Sequence, residues 1–207
     1  MRSHGESIEV VEEDQSALAE YATISIAFEV REILPTALAL LRAGEATALV
    51  PNAHGIASAR QPVRTPWVKD YDAIDGGPLA WHAQFDLSDH WTFFAARAGG
   101  ERVGSAAVVF QAPGVDMLRG RADVALLWDI RISPAYRGRG VGQALLEAVE
   151  AWAASREATW LEVETQNINV PACLFYERAG FRLRDVNPNA YPTLPNEVQL
   201  IWSKRIV

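Results

Sequence analysis

Along the chain, apolar positions group into short blocks of two kinds. Trp91–Arg97 and Arg102–Phe110 are strand-length runs joined by Ala98-Gly99-Gly100-Glu101, whose paired glycines suit the positive φ of a hairpin turn. In Val141–Ser155 the period changes: Val141, Leu145, Val149 and Trp152 form one stripe, with Glu147 and Glu150 off it. That spacing predicts a helix that packs one face on a sheet. Asp123–Ile132, Thr159–Thr165, Phe181–Val186 and Glu197–Ile206 read as further strands. Pro171–Arg178 reads as a second helix, with Pro171 in its first turn and Gly180 where a left-handed C-cap belongs. Toward the amino end the pattern predicts a strand at Ser7–Val11, a helical turn at Asp14–Tyr21, a β-rich run at Thr23–Val30 and a helix at Thr36–Arg42 stopped near Gly44. Between Glu45 and Gly77, prolines, glycines and scattered polar residues defeat any period, which predicts a long irregular loop.

Composition narrows the class. The 207 residues are 49% apolar and 22% charged, with 7 Trp, 5 Tyr and 7 Phe, so disordered, collagen-like and coiled-coil chains are excluded. The length favours a single domain over 1–207, with residues 44–90 as an irregular insertion inside it. Nineteen basic against 26 acidic residues give a net charge of −7, which argues against nucleic acid or an anionic membrane as partner and leaves cationic ligands open. The one cysteine, Cys173, forms no internal disulfide and reads as a small buried hydrophobe. His4, His54, His82 and His90 lack ligand spacing, so no metal site is expected. The amino end shows no apolar leader and no run is long enough to span a bilayer, which points to a cytoplasmic protein.

The candidate chemistry concentrates where Asp129-Ile130-Arg131-Ile132 gives way to Arg137-Gly138-Arg139-Gly140-Val141-Gly142. Three alternate glycines let the chain curl, so several N–H groups can converge at the positive end of the next helix, and Arg137 and Arg139 add charge. Such a cradle suits a diphosphate, although a plain glycine-rich turn with solvated arginines is the simpler alternative. A nucleotide P-loop is excluded because Gln143-Ala144 stands where Lys and Ser or Thr belong. A dinucleotide-binding turn is excluded because Gln143 occupies its third glycine position.

These residues resemble the GNAT superfamily of acyl-CoA-dependent N-acetyltransferases, whose Arg/Gln-x-x-Gly-x-Gly/Ala signature is matched by Arg137, Gly140 and Gly142. A second string, Leu161–Asn169 followed by Ala172, Phe175-Tyr176 and Gly180-Phe181, is similar to the family's Asn-x-x-Ala…Tyr…Gly-Phe stretch, so the resemblance is firm over 91–181. The resemblance implies an α/β (α+β) fold: a mixed, mostly antiparallel sheet, helices on both faces, and two central strands splayed apart. It also implies that acetyl-CoA is the cofactor, its diphosphate on the amides of Gly138 to Gly142 and its pantetheine arm along the backbone of Ile130, Arg131 and Ile132. Asn169 matches a position that contacts the arm, and is equally suited to cap the helix after it.

By the same resemblance Tyr176 would be the general acid toward the departing sulfur. A phenol of pKa about 10 is mismatched by only about 1.5 units with a thiol near 8.5; packing is the alternative for this residue. Asp129 and Glu164 would be base or anionic anchor, or else salt-bridged strand carboxylates, for instance with Arg131. Trp128, Trp152 and Trp160 read as core, with Trp128 a candidate for an acceptor pocket. Within the family, Glu164–Asn167, Val170–Phe181 and Asn196–Trp202 look similar to streptothricin acetyltransferases. The implied acceptor is then a small-molecule amine on a cationic antibiotic, with Asp70, Asp72 and Asp75 adding to the field. A protein or peptide amine, and a non-catalytic acyl-CoA-binding module, are the alternatives. The assembly is expected to be a monomer or homodimer.

Overall fold

The structure is a computed structural model that describes residues 7–35 and 60–207. The helix expected over Thr36–Arg42, and residues 45–59 of the stretch expected to be irregular, lie outside the described residues. In chain order the described residues form β1 (Ile8–Glu13), α1 (Leu18–Tyr21), β2 (Phe28–Ile33), β3 (Gln61–Lys69), α2 (Asp72–Asp75), β4 (Trp91–Ala98), β5 (Glu101–Phe110), β6 (Val124–Ile132), α3 (Val141–Ser155), β7 (Trp160–Gln166), α4 (Val170–Arg178), β8 (Arg182–Asn187) and β9 (Gln199–Arg205). This is a mixed α/β architecture with a mostly antiparallel sheet, as expected. The chain forms two compact units: Met1–Ala27 with Asp70–Leu161 and Ile206–Val207, and Phe28–Lys69 with Glu162–Arg205.

In the first unit β1, β4, β5 and β6 lie side by side, each antiparallel to the next. The β4–β5 hairpin closes through Gly99 at φ 57° and Gly100 at φ 88°, the positive values that a two-residue turn requires. The predicted stripe of α3, Val141, Leu145, Val149 and Trp152, is buried along its length. Gly104 on β5 makes the close approach possible: a Cβ there would stand 2.7 Å from Val141 Cγ1 and 3.0 Å from Leu145 Cδ1. Gly104→Ala is therefore expected to cost about 1–3 kcal/mol by overpacking, read as a drop in Tm; an unchanged Tm would mean that α3 does not bear on this strand.

Between β5 and β6 the register slips. Ala107 faces Asp129 but Val108 faces Leu127, so Trp128 is the extra residue of a β-bulge. Val124–Leu127 are all buried, whereas from Trp128 onward buried and half-buried positions alternate. The bulge thus puts the side chains of Asp129 and Arg131 on the inner face. An aromatic core surrounds it: Trp81 from the 3-10 turn Gly77–Ala83, Trp91, Phe93 and Tyr21, with Phe85, Trp128 and Trp160 packed against them. Trp128 meets Phe85 edge-on at 5.0 Å and Trp91 at 5.3 Å.

In the second unit the order is β7, β9, β8, with β2 and β3 forming a separate antiparallel ribbon. The stretch expected to be irregular therefore contains a nine-residue strand, Gln61–Lys69. Pro62 and Pro66 hide it from sequence reading, because proline is confined to edge strands, and β3 is such a strand, exposed along most of its length. The helix α4 is fastened at both ends. Asn169 Oδ1 accepts from the Ala172 amide at 3.3 Å at its start. At its end Gly180, at φ 91°, donates to Glu177 O at 3.1 Å while Phe181 N donates to Tyr176 O at 3.0 Å, the paired bonds of a Schellman motif. Between the caps Cys173 Sγ meets Thr165 Oγ1 of β7 at 3.3 Å, and Trp202 Nε1 of β9 donates to that hydroxyl at 2.8 Å. Burial pushes the Cys173 thiol up to about 12, which fits its reading as an inert packing group. Among the described residues no helix is long and apolar enough to cross a membrane, and no cluster of His, Cys, Asp or Glu could hold a metal ion.

Candidate active site

The loop from Ser133 to Gly140 is built by backbone freedom. Gly138 at φ 73° and Gly140 at φ 88° adopt the left-handed region, and Gly140 occupies the N-cap of α3 with no side chain to satisfy the first-turn amides. A Cβ at either glycine would meet nothing within 4 Å, so the concavity opens onto free space. The first-turn amides of α3, the positive helix end and open space together fit a diphosphate, whereas the Arg139 amide is already given to Tyr136 O at 3.3 Å. Val141 is buried by its side chain while its amide opens the helix; Gly142 follows in the first turn. Arg137 has a second occupation: its Nε donates to Ile132 O at 3.2 Å and its Nη2 to Ala27 O at 3.0 Å, bracing the loop from behind. Exposed Arg139 lies over the Tyr136 ring at 5.4 Å. Ile130 and Ile132 are half-buried on β6, paired with Ala106 and Gly104 of β5.

Asp129 and Arg131, two residues apart on β6, form a buried ion cluster. Arg131 Nε donates to Asp129 Oδ2 at 2.8 Å, and Nη1 and Nη2 reach Asp72 Oδ2 and Oδ1 at 2.8 and 3.2 Å. Nη1 also donates to Ile24 O at 3.0 Å, and the guanidinium lies over the Tyr21 ring at 5.3 Å. Burial pulls the guanidinium pKa down, but the Asp129 and Asp72 carboxylates outweigh it and hold the arginine charged. Desolvation raises the Asp129 carboxyl despite the arginine beside it. The buried Tyr21 hydroxyl interacts with the Asp129 carboxylate, which, after burial, pushes the phenol further above its usual value. Asp129 is thus salt-bridged to Arg131, and Asp72, 59 positions from Arg131, joins the cluster through a contact that no local pattern announces. The Arg131 side chain, offered as one possible salt-bridge partner, is the hub of the cluster.

Glu164 stands in contrast, in the second unit. Side chains 162, 164 and 166 of β7 share one face, while Leu161, Val163 and Thr165 are buried on the other. On the polar face Glu164 accepts three neutral donors. Gln199 Nε2 of β9 reaches Oε2 at 2.6 Å, Gln166 Nε2 reaches Oε1 at 3.3 Å, and the Tyr191 hydroxyl donates to the same Oε1. Gln166 Nε2 also donates to Tyr191 Oη at 3.1 Å. Glu164 pairs with no cation among the described residues, whereas its neighbour Glu162 binds Arg184 and Glu197 binds Lys69 at 2.5 Å. Burial, then the Glu164 charge, push the Tyr191 phenol well above its usual range. Sequence reading missed Tyr191 and Gln199; the only signal available was the two-residue parity linking Glu164 to Gln166. Tyr176, in the same unit, is 2% exposed on α4, edge-on to Phe175 at 5.1 Å and to Phe181 at 5.4 Å.

The sequence matches the Acetyltransferase (GNAT) family over residues 59–181. It is 39% identical to a streptothricin acetyltransferase of Escherichia coli over 83 residues, 39% of this chain and 48% of that protein, so the match spans about half the relative's length. It is 29% identical to a streptothricin acetyltransferase of Streptomyces lavendulae over 143 residues, 69% of this chain and 71% of that one. A Bacillus anthracis protein solved in complex with acetyl coenzyme A shares the fold, with a TM-score of 0.67 at 20% identity over 96% of this chain and 98% of that one. A matched stretch that carries both the glycine cradle and the Asn169-to-Phe181 helix with its two caps leaves one conclusion: the chain belongs to the GNAT acetyltransferase family.

Proposed function

We propose that this protein is an acetyl-CoA-dependent N-acetyltransferase whose acceptor is a primary amine on a cationic small molecule of the streptothricin type. The observation that carries this reading is Glu164: a half-buried carboxylate held by three neutral donors and paired with no cation among the described residues, in the unit that also carries Tyr176. An ammonium of pKa about 10.4 must give up its proton to attack at pH 7, at a cost of about 4.6 kcal/mol, and a carboxylate with its charge unneutralised both attracts that cation and takes the proton. In this reading the amides of Gly138, Gly140, Val141 and Gly142 grip the cofactor, and Tyr176 and Glu164 handle protons. Acetyl-CoA supplies the thioester whose acetyl group is transferred. Tyr176, on the capped helix α4, is the proton donor toward sulfur. Asn169 serves the helix as its N-cap, and Asp129 serves Arg131 as its counter-ion, which leaves the base to Glu164. The streptothricin acetyltransferases among its relatives support the acceptor class.

The test is thiol release from acetyl-CoA with streptothricin, set against a peptide with a free amino terminus. Streptothricin is expected to be acetylated and the peptide not; release with the peptide alone would transfer the reading to protein amines, and release with neither would leave a binding module. Tyr176→Phe is expected to lower kcat by roughly 10²-fold, the low end for a positioned proton donor because a thiol departs with little help, while calorimetric acetyl-CoA affinity stays within about twofold. Unchanged turnover would remove Tyr176 as the acid.

A further inference from the structure

A carboxylate offers about four acceptor positions, two on each oxygen. At Glu164 both positions of Oε1 are taken, one by the Tyr191 hydroxyl and one by Gln166 Nε2, and Gln166 ties the two donors together by its bond to Tyr191 Oη. Among the described residues Oε2 receives a single donor, Gln199 Nε2 at 2.6 Å. One position therefore remains, and it is on Oε2. We propose that Gln199 is a positioning residue for acetyl transfer: it fixes Oε2 of Glu164 as the atom that takes the acceptor's proton, with Tyr191 and Gln166 closing off Oε1. The inference rests on the reading of Glu164 as the proton acceptor.

The step balances simply. An N–H bond of the acceptor ammonium breaks, its electron pair stays on nitrogen, and the proton forms an O–H bond on Oε2. A carboxylate free to rotate would present either oxygen; one clamped by donors from β7, β9 and the Tyr191 segment presents one lone pair in one direction, which is the geometric requirement of efficient proton transfer. The charged groups on these elements do not supply the same control. Glu197, just before β9, acts on Tyr191 but is itself bound to Lys69, and Glu162 on β7 is bound to Arg184. Gln199 is thus the side chain on β9 that reaches Glu164, and as a neutral donor it steadies the charged form without cancelling its charge.

Gln199→Leu removes the donor at similar size. Folding is checked by circular dichroism. With streptothricin as acceptor, kcat is expected to fall about tenfold at pH 7 while KM for acetyl-CoA is unchanged, and the acid limb of kcat/KM should move up relative to wild type on the same acceptor. Tyr191→Phe, which strips one donor from Oε1, should lower kcat with the same unchanged KM for acetyl-CoA, and it carries the test if Gln199→Leu fails to fold. An unchanged kcat and an unmoved acid limb in these variants, with Glu164→Gln inactive, would overturn the positioning role and leave the function standing. Full activity in Glu164→Gln would instead sink the reading on which it rests.

Discussion

Glu164→Gln is expected to lower kcat by about 10² to 10⁴-fold, the span that a positioned general base commands. The amide matches the carboxylate in shape but cannot take a proton, and its NH2 group must face either Gln199 or the Tyr191–Gln166 pair, all of which point donors at this site. Charge attraction for a cationic acceptor is lost as well, so KM for streptothricin should rise. Acetyl-CoA binding, assigned to the amides of the other unit, should persist. Steady-state thiol release together with calorimetry separates the two effects. A kcat within about fivefold of wild type would mean that the amine sheds its proton to solvent and that this carboxylate is only an ornament of the sheet face.

Arg131→Met should be the most destabilising single change at the β6 bulge, at about 3–5 kcal/mol, because it leaves a buried carboxylate without its counter-ion. The Asp129 side chain is 5% exposed and that of Arg131 1%. The loss should also depend on pH. Burial already lifts the Asp129 carboxyl above its usual value even with the arginine in place. An acid raised on folding adds stability below its unfolded pKa, about 3.9, and that contribution fades as pH rises through the folded value. Removing the guanidinium lifts the folded value further, so the deficit against wild type should be largest near pH 8 and smaller at pH 5, where more of the carboxyl is protonated. Urea unfolding of both proteins at the two pH values reads this out. An equal gap at both would show that the arginine serves Ile24 O and Asp72 rather than Asp129.

What the chain discloses by itself is what depends on neighbours in sequence. The stripe of α3, the paired glycines at 99 and 100, the cap residues Asn169 and Gly180, and the left-handed glycines of the cradle are all set by local geometry, and each is found where its spacing places it. The fold class and the family were legible for the same reason, since both motifs are short and continuous. The choice between Asp129 and Glu164 was not. It turns on Asp72 reaching Arg131 across 59 positions and on Gln199 reaching Glu164 across 35, contacts created by strand order rather than by any period. Trp81 was hidden because a 3-10 turn lacks the helical repeat that would flag its buried face. The strand β3 was hidden because proline weighs against a strand in any local reading, although a ribbon edge tolerates it.

That ribbon edge carries a further consequence for how the protein behaves in a crowded solution. A strand flank that pairs with no further strand among the described residues, and bears Trp67 at 43% and Val68 at 70% exposure, would ordinarily invite a neighbouring molecule to zip on through its main chain. Pro62 and Pro66 each withhold an amide hydrogen from such a visitor, so the flank can show apolar side chains to its surroundings without offering a seed for fibrous self-association.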